Sequence, residues 1–221
     1  VLTSRYDAKL AENEVQGGVR SVRAPVLFRL SKGVIMPTFG LLANKLVAEN
    51  DVIQLHLPQF DAAGVALRGR LMNKPTVITY HCDLLMPPGL LPQLANSAVH
   101  LMNNLAAQFT HRIVTYTQDY ADHSAYLRRY LRKLRVIPPP VELPGVSAEQ
   151  IAAFSVEKNP EKRRPVIGMV SRFATEKGVE VMLNALPRLL ERYPNALVQF
   201  AGPFQNIHGE EAYFERLAPQ I

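Results

Sequence analysis

The sequence predicts an α/β protein built on parallel sheets. From about Val34 onward, short apolar runs alternate with longer amphipathic ones, a pattern typical of strands joined by crossover helices. Three consecutive prolines, Pro138–Pro140, interrupt this pattern, which then begins again. With 221 residues, of which 48% are hydrophobic and 20% charged, the chain is long enough and apolar enough for two small globular domains.

The first domain, over residues 1–145, is predicted from four strand-like runs and the helices between them. Its strands are rich in β-branched and aromatic residues, as in PTVITY at 75–80. Predicted strands lie at 52–56, 75–80, 112–116 and 134–137, and predicted helices at 62–72, 94–109 and 118–130. Residues 18–27 fit either a strand or an extended loop, and residues 1–3 fit the end of a strand.

A boundary is expected after the prolines, because they cannot continue a helix or a central strand. Residues 146–164 are predicted to form a linker, with a short helix near 148–154 and a charged run at 157–164. The second domain, 165–221, has predicted strands at 165–170 and 196–201, with helices at 178–192 and 210–221.

Charge and cysteine content limit the partners and the cellular compartment expected for the protein. The net charge of +6 favours anionic partners. A single cysteine, Cys82, excludes an intrachain disulfide and a cysteine-cluster zinc site, so the expected compartment is the reducing cytoplasm. No apolar run reaches the roughly 18 to 20 residues that a membrane span needs, which leaves attachment to a membrane surface open.

Ligands of open parallel sheets bind beyond the carboxyl ends of the strands, so the residues there are the candidates for a functional site. The loop SRFATEKG at 171–178 follows one predicted strand and precedes a helix. Arg172, Lys177 and the helix N-terminus would suit a diphosphate. The alternative is a solvated loop in which Glu176 pairs with one of the two cations.

A second candidate follows the strand that ends at Tyr80. His81 can hydrogen-bond a hydroxyl near neutral pH, and Asp83 could orient it or hold an acceptor group. Equally, the histidine could be satisfied by the backbone while Asp83 caps the following turn, which contains Pro87, Pro88 and Gly89. His56 ends a neighbouring strand, but these residues lack the spacing of a metal site.

The third candidate is the basic run RRYLRKLR at 128–135. It could meet anionic lipid headgroups or RNA, or it could be a solvated helix end whose cations complement the helix dipole. Because the chain has no aromatic platform or recognition motif for nucleic acid, we expect no nucleic-acid partner.

Taken together, three segments resemble the retaining glycosyltransferases of family 4, which have the GT-B fold of two Rossmann-like domains. These segments are KPTVITYHCD at 74–83, VIPPPVE at 136–142 and VSRFATEKGVEVMLNALPRLL at 170–190. The resemblance implies transfer of a hexose from a nucleotide-diphosphate sugar to an acceptor hydroxyl with retention. Family-level expectations are cell-envelope glycan or glycolipid synthesis, with a lipid-linked or polysaccharide acceptor at the inner face of the membrane.

The resemblance also implies roles for the matched residues. Arg172 and Lys177 would hold the donor pyrophosphate, so neither a metal nor another cofactor is expected. His81 would lie near the reacting sugar, with Asp83 as a second candidate on the acceptor side. Further residues would line the donor cleft: Ser171, Gly178 and Gly202.

The chain departs from the family pattern in three places. The family's glycine-rich loop would precede Val1, and its pair of glutamates would lie beyond Ile221, so residues 1–221 alone are expected to be inactive. The proline loop has Pro139–Pro140 where the family often has asparagine and glycine. Alternatives left open are a non-catalytic α/β module that binds a phosphorylated ligand or an anionic membrane, a GT-B nucleotide-sugar epimerase, and a phosphorylase of the same fold.

Overall fold

The protein forms two compact units, Val1–Val141 and Glu142–Ile221. The structure, a computed structural model, describes residues 1–30, 33–84, 89–205, 207 and 210–221. The division between the units falls directly after Pro138–Pro140, where neither a helix nor a central strand can continue.

The first unit begins with two small sheets that the apolar pattern did not predict in full. One sheet contains β1 (Leu2–Arg5), β2 (Asn13–Gln16) and β3 (Val19–Pro25) in the order β1-β3-β2. Residues 18–27, which fitted either a strand or a loop, contain the strand β3, which runs parallel to β1 and antiparallel to β2. β4 (Phe28–Leu30) and β5 (Gly33–Ile35) pair antiparallel as a second sheet.

The main sheet of this unit has four parallel strands in sequential order, which confirms the predicted α/β class. In chain order its elements, with the helix that precedes it, are α1 (Phe39–Glu49), β6 (Ile53–Leu57), α2 (Ala62–Leu71), β7 (Thr76–Tyr80), α3 (Leu90–Phe109), β8 (Arg112–Thr115), α4 (Gln118–His123), a 3-10 helix (Leu127–Lys133) and β9 (Leu134–Val136). The strand order is β6-β7-β8-β9. All carboxyl ends therefore meet at one edge, and His81 follows β7 there.

The core of the first unit lies between this sheet and its helices. Ile78 and Ile113, at the centre of β7 and β8, are fully buried. Small side chains on the helices, such as Ala66 in α2 and Ala106 in α3, are also fully buried and allow close packing. This rigid sheet fixes the positions of the loops that follow its strands.

The helix predicted over 118–130 is wrong in its extent. α4 ends at His123, and Ser124 adopts an extended conformation before the 3-10 helix begins. Ser124 is buried and its hydroxyl donates to Asp83 Oδ1 at 2.9 Å while accepting the Leu127 N–H at 3.3 Å. A contact distant in sequence therefore interrupts a segment whose local periodicity favours one helix.

The second unit contains a pair of parallel strands. Its elements are α5 (Ala148–Lys158), β10 (Val166–Val170), a 3-10 turn (Thr175–Lys177), α6 (Val179–Arg192), β11 (Leu197–Ala201), α7 (Glu211–Leu217) and a last 3-10 turn (Ala218–Gln220). α5 starts with a capping box formed by Ser147 and Gln150 and runs beyond the predicted 148–154. The predicted helix at 210–221 ends at Leu217.

The small core of the second unit is formed by Phe173, Val179, Leu183, Tyr213 and Leu217. Phe173 belongs to the loop between β10 and α6, so this candidate loop is anchored in the core. In the part of the chain described, no helix is both long enough and apolar enough to span a membrane.

Candidate functional site

His81 lies at the carboxyl edge of the main sheet. Leu57 pairs with Tyr80, so β6 and β7 end level with each other, and the His81 N–H donates to Leu57 O at 3.0 Å. His56 lies on the exposed face of β6, and Tyr116 directly follows β8. Three neighbouring strands therefore bring three polar rings to one edge.

These rings form a hydrogen-bonded chain, the His56–His81–Tyr116 chain. Nε2 of His81 lies 2.8 Å from Nδ1 of His56, and Nδ1 of His81 lies 2.5 Å from the Tyr116 hydroxyl. The two imidazoles stack with their centroids 5.1 Å apart. Partial burial, followed by the proximity of His56, lowers the pKa of His81 below its usual value.

Sequence reasoning located His81, gave His56 no role and missed Tyr116. The available signal was position, since all three residues lie at or next to the ends of predicted strands. Their mutual distances depend on the register of the sheet, which the sequence pattern does not specify.

Asp83 is held by other partners. Its Oδ1 accepts hydrogen bonds from the buried Tyr80 hydroxyl at 2.8 Å and from Ser124, and its N–H donates to the Tyr120 hydroxyl at 2.6 Å. Burial, with a further contribution from the Asp83 carboxylate, raises the pKa of Tyr80 and raises that of Tyr120 to about 12. The hydrogen-bond partners of His81 are therefore His56 and Tyr116, and not Asp83.

Asp83 thus ties its loop to β7 and to the end of α4, and its contact with an acceptor stays a prediction. The turn after it was expected to contain Pro87, Pro88 and Gly89. Pro87 and Pro88 lie outside the described residues, and Gly89 has a φ of 142° immediately before α3.

The loop over residues 171–178 has an anchored centre and charged flanks. Phe173 and Ala174 are buried, whereas Arg172 and Lys177 are exposed. The Phe173 ring packs edge-on against three others at centroid distances of 5.5, 6.4 and 5.7 Å, namely Phe200, Phe204 and Phe214. This aromatic cluster, which sequence reasoning missed, fixes the path of the loop.

Gly202 and Ser171 are pressed together at the end of the strand pair. A Cβ at Gly202 would lie 2.2 Å from Ser171 O, and Gly202 has a φ of 142°. The Ser171 N–H donates to Ala201 O at 3.0 Å, which extends the pairing of β10 with β11. Their immediate role is therefore to shape the backbone, and their contact with a donor stays a prediction.

The two cations of the loop differ in their contacts. Arg172 Nη2 lies 2.5 Å from Glu176 Oε1, which is the pairing that the sequence left open. A guanidinium has five N–H donors, so most of them remain for another anion. Lys177 has no ion pair among residues that the structure describes.

Gly178 links the short 3-10 turn to α6. Its φ of 66° lies in the left-handed region, and its N–H donates to Thr175 O at 3.2 Å. The first turn of α6 follows, where the Val181 N–H donates to Gly178 O at 3.0 Å and Glu180 already places a carboxylate at the positive end of the helix dipole.

A second tie holds this loop from the far side. Glu210 Oε2 accepts hydrogen bonds from the Thr175 hydroxyl at 2.8 Å and from the Thr175 N–H at 3.3 Å. Glu210 is 35 residues away in sequence, so no local pattern indicated this contact. The loop is thereby fastened at Phe173 and at Thr175.

The basic run at 128–135 divides into one structural cation and several exposed ones. Lys133 Nζ donates to three carbonyls at the end of α3, at 2.8, 3.0 and 2.8 Å, those of Ala107, Gln108 and Thr110. Burial, with a contribution from Arg70, lowers the pKa of Lys133. The other cations are exposed and have no ion pair within the described parts of the chain: Arg128, Arg129, Arg132 and Arg135.

Over the described ranges, no group of three or more histidine, cysteine, aspartate and glutamate side chains is arranged to hold a metal ion. Cys82 is exposed and unpaired by a disulfide.

Comparison with known proteins identifies the family. The family model described as Glycosyltransferase Family 4 matches residues 1–143. D-rhamnosyltransferase WbpZ of Pseudomonas aeruginosa is 33% identical over 73% of this chain and 40% of its own length. Glycogen synthase 2 of Nitrosococcus oceani is 40% identical over 24% of this chain and 14% of its own length. The chain spans less than half of either relative, and the family model covers essentially the whole first unit. The chain therefore belongs to glycosyltransferase family 4.

Proposed function

We propose that the protein is a retaining glycosyltransferase that moves a hexose from a nucleotide-diphosphate sugar to an acceptor hydroxyl, in cell-envelope glycan or glycolipid synthesis. The observation that carries the proposal is the anchored loop at 171–178, with Arg172 and Lys177 exposed just before α6. Family membership and a relative named as a D-rhamnosyltransferase support it.

On the donor side, the two cations act on the leaving group. Cleavage of the sugar–phosphate bond leaves negative charge on the departing nucleoside diphosphate, and positive groups placed there stabilise the transition state. Arg172 provides N–H donors beyond the one that contacts Glu176, and Lys177 provides a compact ammonium. These two side chains supply the positive charge without a metal ion.

On the acceptor side, the His56–His81–Tyr116 chain offers hydrogen-bonding groups at the edge of the main sheet. We assign it to the sugar or the acceptor hydroxyl, with Asp83 holding the loop that follows. Ser171, Gly178 and Gly202 form the backbone frame of the donor side.

Calorimetric titration of the full-length protein with nucleoside diphosphates tests the donor site. Charge-assisted hydrogen bonds are worth about 1.5 to 3 kcal/mol, so Arg172→Ala and Lys177→Ala should each raise the Kd by roughly 10- to 100-fold. Arg188→Ala is the matched control, because it removes the same charge from an exposed position on α6 away from the loop. An unchanged Kd in Arg172→Ala would contradict the phosphate role.

The chemistry is tested by incubating the protein with a panel of nucleotide sugars and acceptors and following the anomeric protons by NMR. Transfer with the donor's anomeric configuration preserved is the expected result. Conversion of the nucleotide sugar without an acceptor would indicate the epimerase alternative. Tight diphosphate binding with no turnover in any combination would indicate a non-catalytic binding module.

We also propose that the exposed arginines of the 3-10 helix and β9 contact an anionic membrane. Each cation near such a surface contributes about 1 kcal/mol, so removing two should weaken binding roughly 30-fold. The assay is co-sedimentation with vesicles that contain phosphatidylglycerol, comparing Arg128→Gln/Arg129→Gln with the control Arg188→Gln/Arg192→Gln. Equal loss in both variants, or equal binding to neutral phosphatidylcholine vesicles, would refute the contact.

A further inference from the structure

The His81 ring is engaged at both of its nitrogens. Nδ1 lies 2.5 Å from the Tyr116 hydroxyl, and Nε2 lies 2.8 Å from His56 Nδ1. These partners come from the strands on either side of β7, so the ring is held from two directions. Neither ring nitrogen of His81 is left for a ligand while both contacts persist.

The geometry of the His56–His81–Tyr116 chain limits the number of protons that its two imidazoles can bind while their hydrogen bond persists. A hydrogen bond between two imidazole nitrogens needs one donor and one acceptor. With both histidines neutral, His81 therefore donates to one partner and accepts from the other. One added proton is tolerated, because an imidazolium at His81 can donate from both nitrogens. A second proton would place N–H groups on both His56 Nδ1 and His81 Nε2 and break their bond.

In the described part of the chain, few titratable groups face the His81 ring. His56 approaches from β6, and Tyr116 approaches from the end of β8. The nearby carboxylate of Asp83 is turned to Tyr80 and Ser124 instead. The charge state of His81 is thus coupled to His56 rather than to an acid.

We propose that His81 is the positioning residue that holds His56 and Tyr116 for a ligand, and that the His56–His81–Tyr116 chain binds one proton intact and opens with the second. The atoms through which the intact chain meets a ligand hydroxyl are then its two ends, His56 Nε2 and Tyr116 Oη. The assignment of this ligand to the transfer reaction rests on the proposed function. The hydrogen bonds of the His56–His81–Tyr116 chain do not depend on it.

Nitrogen-15 NMR of the histidine side chains in the full-length protein tests the chain directly. Between about pH 8 and about pH 5, which brackets the ordinary histidine pKa of about 6.5, the His81 ring nitrogens should respond in two steps, the first with the bond to His56 intact and the second as that bond breaks. In His56→Gln, His81 should titrate in one step at a higher pH than in the wild type. In Tyr116→Phe, the tautomer populations of His81 should change.

The matched controls are His123→Gln and Tyr6→Phe, at exposed positions outside the chain, which should leave the His81 signals in place. A single independent titration of His81 in the wild type, unchanged by His56→Gln, would overturn the proposal. Both test positions keep their strands intact, because His56 is on the exposed face and phenylalanine preserves the Tyr116 ring.

The kinetics of sugar transfer provide a second test of the proposal. Misplacing a catalytic contact by about 1 Å can cost up to about 100-fold, so His81→Gln, which releases both His56 and Tyr116, should lower kcat roughly 10- to 100-fold and leave the donor KM nearly unchanged. A two-step response of His81 to pH together with an unchanged kcat in His81→Gln would overturn the positioning role. If the wild type shows no transfer, the proposed function fails, while the NMR result still decides whether the chain exists.

Discussion

Replacing Gly202 with alanine should destabilise the second unit strongly. The new Cβ would lie 2.2 Å from Ser171 O and 2.7 Å from Ser171 C, whereas Cβ contacts become ordinary only from 3.4 Å. The backbone would have to separate by more than about 1 Å, because neither clashing atom belongs to a flexible side chain. The φ of 142° adds backbone strain that only glycine avoids.

The magnitude follows from these two costs. Overpacking costs about 1 to 3 kcal/mol, and a residue forced into a disfavoured φ region costs about 1 to 3 kcal/mol more. We therefore expect a loss of about 2 to 6 kcal/mol. For a unit of this size, each kcal/mol lowers the Tm by about 4 to 8 °C, so the Tm of the second unit should fall by at least about 8 °C.

The assay is thermal unfolding followed by circular dichroism, together with hydrogen exchange of the amides in β10 and β11. Gly168→Ala is the matched control, since a Cβ at Gly168 in β10 would meet nothing within 4 Å. Its stability should change by less than about 1 kcal/mol. If the two variants unfold at the same temperature, the close approach of Gly202 to Ser171 is not a constraint on the fold.

Three further predictions concern the first unit, each read from the urea midpoint. Lys133→Met should lose about 1 to 2 kcal/mol, because three carbonyls at the end of α3 lose their cation, whereas Arg132→Met at an exposed neighbour should stay within about 0.5 kcal/mol. Asp83→Ala should lose about 3 kcal/mol by leaving the buried Tyr80 hydroxyl without its acceptor, whereas the exposed Asp122→Ala should lose little, and equal losses would refute the anchoring role. Since folding lowers the pKa of His81, its neutral form is favoured; stability should be full above about pH 6.5 and decline as the pH falls below it, and His81→Gln should flatten that decline.

Strands of the main sheet were predictable because their buried positions are apolar, as in β6, where Ile53, Leu55 and Leu57 are buried and alternate with exposed residues. The predicted strand at 52–56 is β6, shifted by one residue, and that at 75–80 is β7 with one residue removed. β2 was not predicted because all four of its residues are exposed and its sequence has no alternation of apolar and polar residues. Its signal was the turn at Gly17 and Gly18, where two glycines with positive φ join it to β3.

Contacts distant in sequence account for what could not be predicted. Local periodicity favours one helix over 118–130, but the bond between Ser124 and Asp83 spans 41 residues and ends α4 early. Tyr116 and Glu210 belong to the candidate sites only through contacts that the fold creates with His81 and Thr175. The ends of predicted strands indicate which residues can form a site. Which of these residues contact each other depends on strand register and packing.

Burial of Phe173 and Ala174 in the middle of the 171–178 loop has a consequence for binding thermodynamics. Ordering the backbone costs about 1 to 2 kcal/mol for each residue. Here that cost belongs to the folding of the unit, since the aromatic cluster and Glu210 already hold the loop. An anion that binds Arg172 and Lys177 therefore meets side chains carried by an ordered backbone, and its affinity is not reduced by the entropy of ordering that backbone.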